Sequence, residues 1–209
     1  MKNDERAVFS IIFIGILLLN VMVKLRKNAY WMKMDRKTSS AFFSLRGIQV
    51  IDIFLRLYSI IGSGFVLIPA TLLSACRYSQ KGQRRKALFL VVNLAGCRWV
   101  NSILRKKWDY RAPSTKPFFI RYGFPSAHAM NATAMYGVLV MLTKRLSRKT
   151  KMMLLSLHIG FVSLSRVYLG IHYFTDVLAG VAWGAVWLAL MKAVFYSDQR
   201  TLKKDLTCE

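Results

Sequence analysis

Long charge-free apolar runs alternate with dense clusters of Lys and Arg, and no other feature of this chain restricts its fold so strongly. A run needs about 20 residues to cross ~30 Å of hydrocarbon as a helix. Ala7–Val23 is a first candidate, interrupted only by Ser10 and Asn20. Its charged start could belong to a signal peptide. However, Lys24-Leu25-Arg26-Lys27 follows in place of a small-residue cleavage site, so an uncleaved first span is expected. Leu57–Cys76 is the second candidate. Its lead-in, Gly47–Arg56, places Asp52 and Arg56 one turn apart and reads as an interfacial amphipathic piece. Ala87–Leu104 is the third and contains one charge, Arg98. Ser126–Leu142, Met152–Ser165 and Val177–Met191, the last extending to about Tyr196, complete the set. The expectation is an all-α, polytopic membrane helix bundle of about six transmembrane helices, forming one membrane-embedded domain over residues 1–209.

Composition removes the alternatives. Of 209 residues, 55% are apolar, while 32 Lys and Arg against 9 Asp and Glu give a net charge of +23. A nucleic-acid binder carries such charge on a contiguous soluble face, whereas here it lies in loops between spans, so no nucleic-acid partner is expected. A disordered basic tail does not contain 13% aromatic residues. The three cysteines, Cys76, Cys97 and Cys208, have no disulfide-framework spacing. The bilayer is the partner that remains, and no feature specifies an oligomer.

Six spans put both termini on one face, together with the tight loops Arg77–Lys86 and Lys144–Lys151. Both loops are rich in Lys and Arg, which assigns that face to the cytoplasm. The opposite face holds Lys24–Arg46, Arg105–Pro125 and the turn at Gly170, and it too is basic. An anionic ligand accounts for that excess.

Two clusters on that opposite face carry potential chemistry. In Phe124-Pro125-Ser126-Ala127-His128, a Pro and a Ser precede an apolar helical run, so Ser126 and Ala127 start a helix. Unpaired N–H groups and the positive end of the dipole make such a start an anion site, with His128 one turn inside. In Ser165-Arg166-Val-Tyr-Leu-Gly170-Ile-His172-Tyr-Phe-Thr-Asp176, His172 and Asp176 are four apart and would share a face on a helix. A carboxylate on one imidazole nitrogen fixes the tautomer and leaves the other nitrogen as nucleophile or base. The Arg166 fork suits phosphate oxygens. Either histidine alone reads as a structural hydrogen bonder, and Asp176 alone as a helix cap. The functional reading rests on their joint placement at span ends on one side. His158, mid-span, reads as packing, and Gly180 and Gly184 as close helix packing.

At these residues the sequence resembles the phosphatidic acid phosphatase type 2 superfamily, in its membrane lipid phosphatase branch. Ser165-Arg166…His172…Asp176 is similar to the third signature at every position. Pro125-Ser126-Ala127-His128 is similar to the second, with Ala for Gly. The first signature, Lys, six residues, then Arg-Pro, is altered: Arg111-Ala112-Pro113 has an extra residue, and Arg105, Lys106 or Lys107 stands near the Lys position. The resemblance implies a phosphorylated lipid substrate, hydrolysed without metal or other cofactor. It implies that His172 attacks phosphorus to form a phosphohistidine, Asp176 orients His172, and His128 protonates the leaving oxygen. It also implies that Arg166, Arg111 and a cation near Arg105 hold phosphate oxygens, beside Ser126 and the Ala127 amide. Transfer of the phosphoryl group to a second lipid, or a catalytically weakened lipid-binding protein, fits the same signatures. Phe118, Phe119 and Tyr122 read either as the rim of a head-group entrance or as an interfacial aromatic belt.

Overall fold

The computed structural model describes residues 2–108, 123–143 and 146–196. The described residues form eight helices: α1 (Lys2–Lys27), α2 (Ala29–Ser44), α3 (Gln49–Ile61), α4 (Gly64–Gln80), α5 (Arg84–Trp108), α6 (Ala127–Leu142), α7 (Arg148–Tyr168) and α8 (Phe174–Phe195). The order of the expected spans is kept in α1, the α3–α4 pair, α5, α6, α7 and α8. Three of these (α1, α5 and α8) are long and apolar enough to cross a membrane alone, and the α3–α4 pair adds a fourth, bent by 48°. The chain is an integral membrane protein, and large apolar side chains such as Phe9, Phe13, Phe65 and Leu73 cover its outer surface.

Two segments depart from the expectation. The stretch Lys24–Arg46, expected as a loop, contains α2. Asn28 starts that helix by accepting hydrogen bonds from the amides of Tyr30 (2.9 Å) and Trp31 (3.3 Å), and no Gly or Pro interrupts it. α2 is too polar to be found by a search for apolar runs. The second span is broken at Gly62-Ser63, and the amphipathic lead-in belongs to α3. The break is held by close packing: a Cβ on Gly62 would lie 2.4 Å from Val162 Cγ1.

The centre of the bundle is the α6–α8 contact, its most extensive helix pairing. It is built as the glycine spacing predicts. A Cβ on Gly180 would lie 2.5 Å from the Ser126 carbonyl oxygen, and one on Gly184 would lie 2.6 Å from that of Met130. Backbone oxygens cannot move aside as a flexible side chain can. Gly180→Val is therefore expected to destabilise the fold by about 1–3 kcal/mol through overpacking and to displace the start of α6. A lower unfolding midpoint in detergent, compared with Gly160→Val where nothing lies within 4 Å, checks this.

Candidate active site

The site is made where four helix ends meet, and each end has a local cause. α7 closes with Gly170 at φ 69°, a left-handed conformation that suits glycine. The Gly170 amide donates to the Val167 carbonyl (2.9 Å) and the Ile171 amide to the Arg166 carbonyl (3.1 Å), the pair of bonds of a Schellman cap. The His172 amide donates to the same Arg166 carbonyl at 3.2 Å. The five residues between Arg166 and His172 are thus the length of one capped reversal, and the reversal returns His172 over the end of its own helix.

α8 begins immediately afterwards, with Tyr173 at its N-cap and Asp176 in its first turn. Here the structure corrects an expectation. His172 and Asp176 do not share a helix face, because His172 precedes the helix. Asp176 instead reaches back: its Oδ2 accepts from the Tyr173 amide at 2.9 Å and lies 3.4 Å from His172 Nδ1. That spacing is long for a hydrogen bond, and Nδ1 has no other hydrogen-bond partner among the described residues. The geometry presents the Nε2 side of the ring to the cavity. Burial holds the His172 pKa below the ordinary imidazole value, and the charges of Arg166 and Arg105 act in the same direction against the raising effect of Asp176. The balance favours the neutral form of the ring.

His172, His128, Arg166, Arg105 and Ala127 line one cavity of about 580 Å³. The sequence-predicted residues thus converge from α5, α6, α7 and the α7–α8 turn. Asp176 lies behind His172, fully buried. Ser126 does not line the cavity: it is buried, its amide donates to the Asp176 carbonyl at 2.9 Å, and its Oγ has no partner among the described residues. That backbone bond ties the α6 start to the α8 start, while the amides of Ala127 and His128 donate to no backbone carbonyl among the described residues. Arg166 donates to Ser59 Oγ on α3 and is 7% exposed. Arg111 and the aromatic segment Phe118–Tyr122 lie outside the described residues. His158 is packed against the rings of Tyr58 (5.5 Å) and Tyr136 (3.8 Å), away from this cavity.

Sequence reasoning missed an entire supporting layer. Arg26, at the end of α1, donates to Asp176 Oδ1 and to Thr175 Oγ1 (3.1 Å). Ser39 Oγ accepts from the Phe174 amide (3.1 Å), and Asp35 Oδ1 from the Thr175 amide (3.2 Å). With Asp176 on Tyr173, three successive amides at the α8 start have side-chain acceptors, two of them supplied by α2. The one signal available in sequence was the presence of buriable charges, Arg26 and Asp35, beside an apolar run.

Fold and cavity together define an integral membrane helix bundle that gathers two histidines and several arginines from separate helices at one polar cavity. The chain belongs to the PAP2 superfamily, whose family model matches residues 69–200. Phosphatidylglycerophosphatase B of Bacillus subtilis is 38% identical over 104 residues, covering 46% of this chain and 51% of that protein. Decaprenylphosphoryl-5-phosphoribose phosphatase of Mycobacterium tuberculosis is 40% identical over 81 residues, covering 39% and 42%. The chain thus matches these curated relatives over about half of their length. Among solved structures, a PAP2-type phosphatidylglycerolphosphate phosphatase from Bacillus subtilis has a TM-score of 0.81 at 23% identity, covering 90% of this chain and 98% of that one. LpxE from Aquifex aeolicus has a TM-score of 0.57 at 18% identity, covering 74% and 92%. Both establish likeness of fold.

Proposed function

We propose that the protein is a lipid phosphate phosphatase that removes a terminal phosphate through a phosphohistidine intermediate. The supporting observation is the shared cavity, with His172 and His128 on its wall, Arg166 and Arg105 beside them, and Asp176 behind His172. His172 Nε2 attacks phosphorus as the bond to the lipid oxygen breaks. His128 gives that oxygen its proton, then takes a proton from the water that cleaves the phosphorus–nitrogen bond. Arriving phosphate brings negative charge between the imidazoles and the guanidinium groups, which favours a protonated His128 when an acid is needed. The arginines, with Arg111 from the altered first signature, hold the equatorial oxygens, and the unpaired Ala127 amide adds a neutral donor. Placement of the basic stretches Arg77–Lys86 and Arg148–Lys151 at the other ends of the helices supports a site opening on the non-cytoplasmic face.

The relatives are named for phosphatase action on phosphatidylglycerol phosphate and on a decaprenylphosphoryl phosphoribose, which supports a phosphorylated lipid as the substrate class here. The test is a panel of lipid phosphates offered to the purified protein in detergent, with released inorganic phosphate measured. At least one member should release phosphate in the wild type and none in His128→Ala. Equal release by both proteins, or none by the wild type, overturns the reading. Transfer of label to a second lipid in place of free phosphate would identify a transferase.

A further inference from the structure

The cavity extends beyond the groups that one phosphate needs. Arg98 lies seven residues before Arg105 on α5, so it faces the same side about 10 Å deeper along the helix. It lines the same cavity and is exposed. It makes no hydrogen bond or ion pair with any described residue. An unneutralised guanidinium within a membrane span is costly and has a reason to be there. Its neighbours are also fitted to it. A Cβ on Gly64 would come within 2.5 Å of Arg98 Nη1, so the guanidinium packs directly against the start of α4. Asn131, one turn further into the bundle than His128, lines this deep part. It is 2% exposed, and its side-chain amide carries an NH2 donor that suits an anionic oxygen. No carboxylate lines the cavity among the described residues.

We infer that Arg98 and Asn131 form a second anion subsite, which receives a phosphodiester lying between the terminal phosphomonoester and the hydrocarbon chains of the substrate. This deepens the phosphatase reading and rests on it for the position of the terminal phosphate. The depth order is the argument. A lipid whose terminal phosphate reaches the histidines at the helix ends has its chains directed into the bilayer, so any internal phosphate lies on the deeper side. Arg98 is on that side. A lipid with a single phosphate leaves the guanidinium uncompensated, and one with an internal diester neutralises it.

The test compares two lipids with the same acyl chains, both as non-hydrolysable phosphonates. One is a diacylglycerol bearing a single terminal phosphonate. The other carries the terminal phosphonate on a glycerol joined to the diacylglycerol by a phosphodiester. Binding to full-length protein in detergent is measured for wild type, Arg98→Gln and Arg98→Lys. The wild type should prefer the two-phosphate lipid at least tenfold. Arg98→Gln should bring the ratio to within about twofold of unity, and Arg98→Lys, which keeps the charge, should restore most of it. A wild type without preference, or a preference that survives in Arg98→Gln, overturns the subsite. Release of phosphate from the hydrolysable lipids is followed in parallel. An intact Arg98-dependent preference without any release would reject the phosphatase reading and leave the subsite standing.

Discussion

His172→Ala is expected to lower phosphate release by roughly three orders of magnitude or more, because the proposed covalent mechanism loses its nucleophile. His128 and the arginines remain in the variant, so substrate should still bind while turnover stops. The structural cost is small. The His172 amide bond to Arg166 survives the substitution, and the Schellman reversal does not need the ring. The variant should therefore enter the membrane and elute as a folded protein. Stopped-flow or discontinuous phosphate release, normalised to folded protein, measures the effect. A variant that keeps more than a tenth of the wild-type rate would remove His172 from the nucleophile's position. Alkaline denaturing quench of the wild type with labelled substrate should trap a phosphoramidate, stable in base and labile in acid, that His172→Ala lacks.

The second large effect belongs to Arg26→Met. Asp176 is fully buried, and Arg26 donates directly to its Oδ1. Breaking a buried pair by removing one partner leaves an uncompensated charge and costs about 3–5 kcal/mol. Methionine keeps an apolar side chain of similar length beside Phe124, whose ring lies 5.0 Å from the guanidinium carbon, while removing the charge and the hydrogen bond to Thr175. The unfolding midpoint in detergent should fall well below that of Arg26→Lys, which restores a cation. If Arg26→Met and the wild type unfold together, the ion pair contributes nothing and the α1–α8 contact is held by packing alone.

These two residues show how unevenly the molecule could be read from sequence. His172 was legible because its partners are local: Arg166, Gly170 and Asp176 lie within a dozen residues, and their spacing follows from one capped turn. His128 was legible because a Pro-Ser pair ahead of an apolar run marks a helix start. The geometry joining His172 to Asp176 was not, since a four-residue spacing reads as a helix face and only the N-cap position of Tyr173 turns it into a backward reach. Arg26, Asp35 and Ser39 were out of range for another reason. Their partners lie at least 135 residues away, and a pairing across that distance leaves no periodicity. Charge alone made α2 look like a loop, although its length and its Asn28 cap were compatible with a helix throughout.

The capping of α8 by α2 also has a consequence for biogenesis. Ribosomes deliver α2 long before α8, so Asp35 and Ser39 wait through most of translation without the amides they serve. α8 in turn arrives with donors that hydrocarbon cannot solvate. Its docking against α1 and α2 is then the step that sets Asp176 in position, so the proposed chemistry waits for the synthesis of α8.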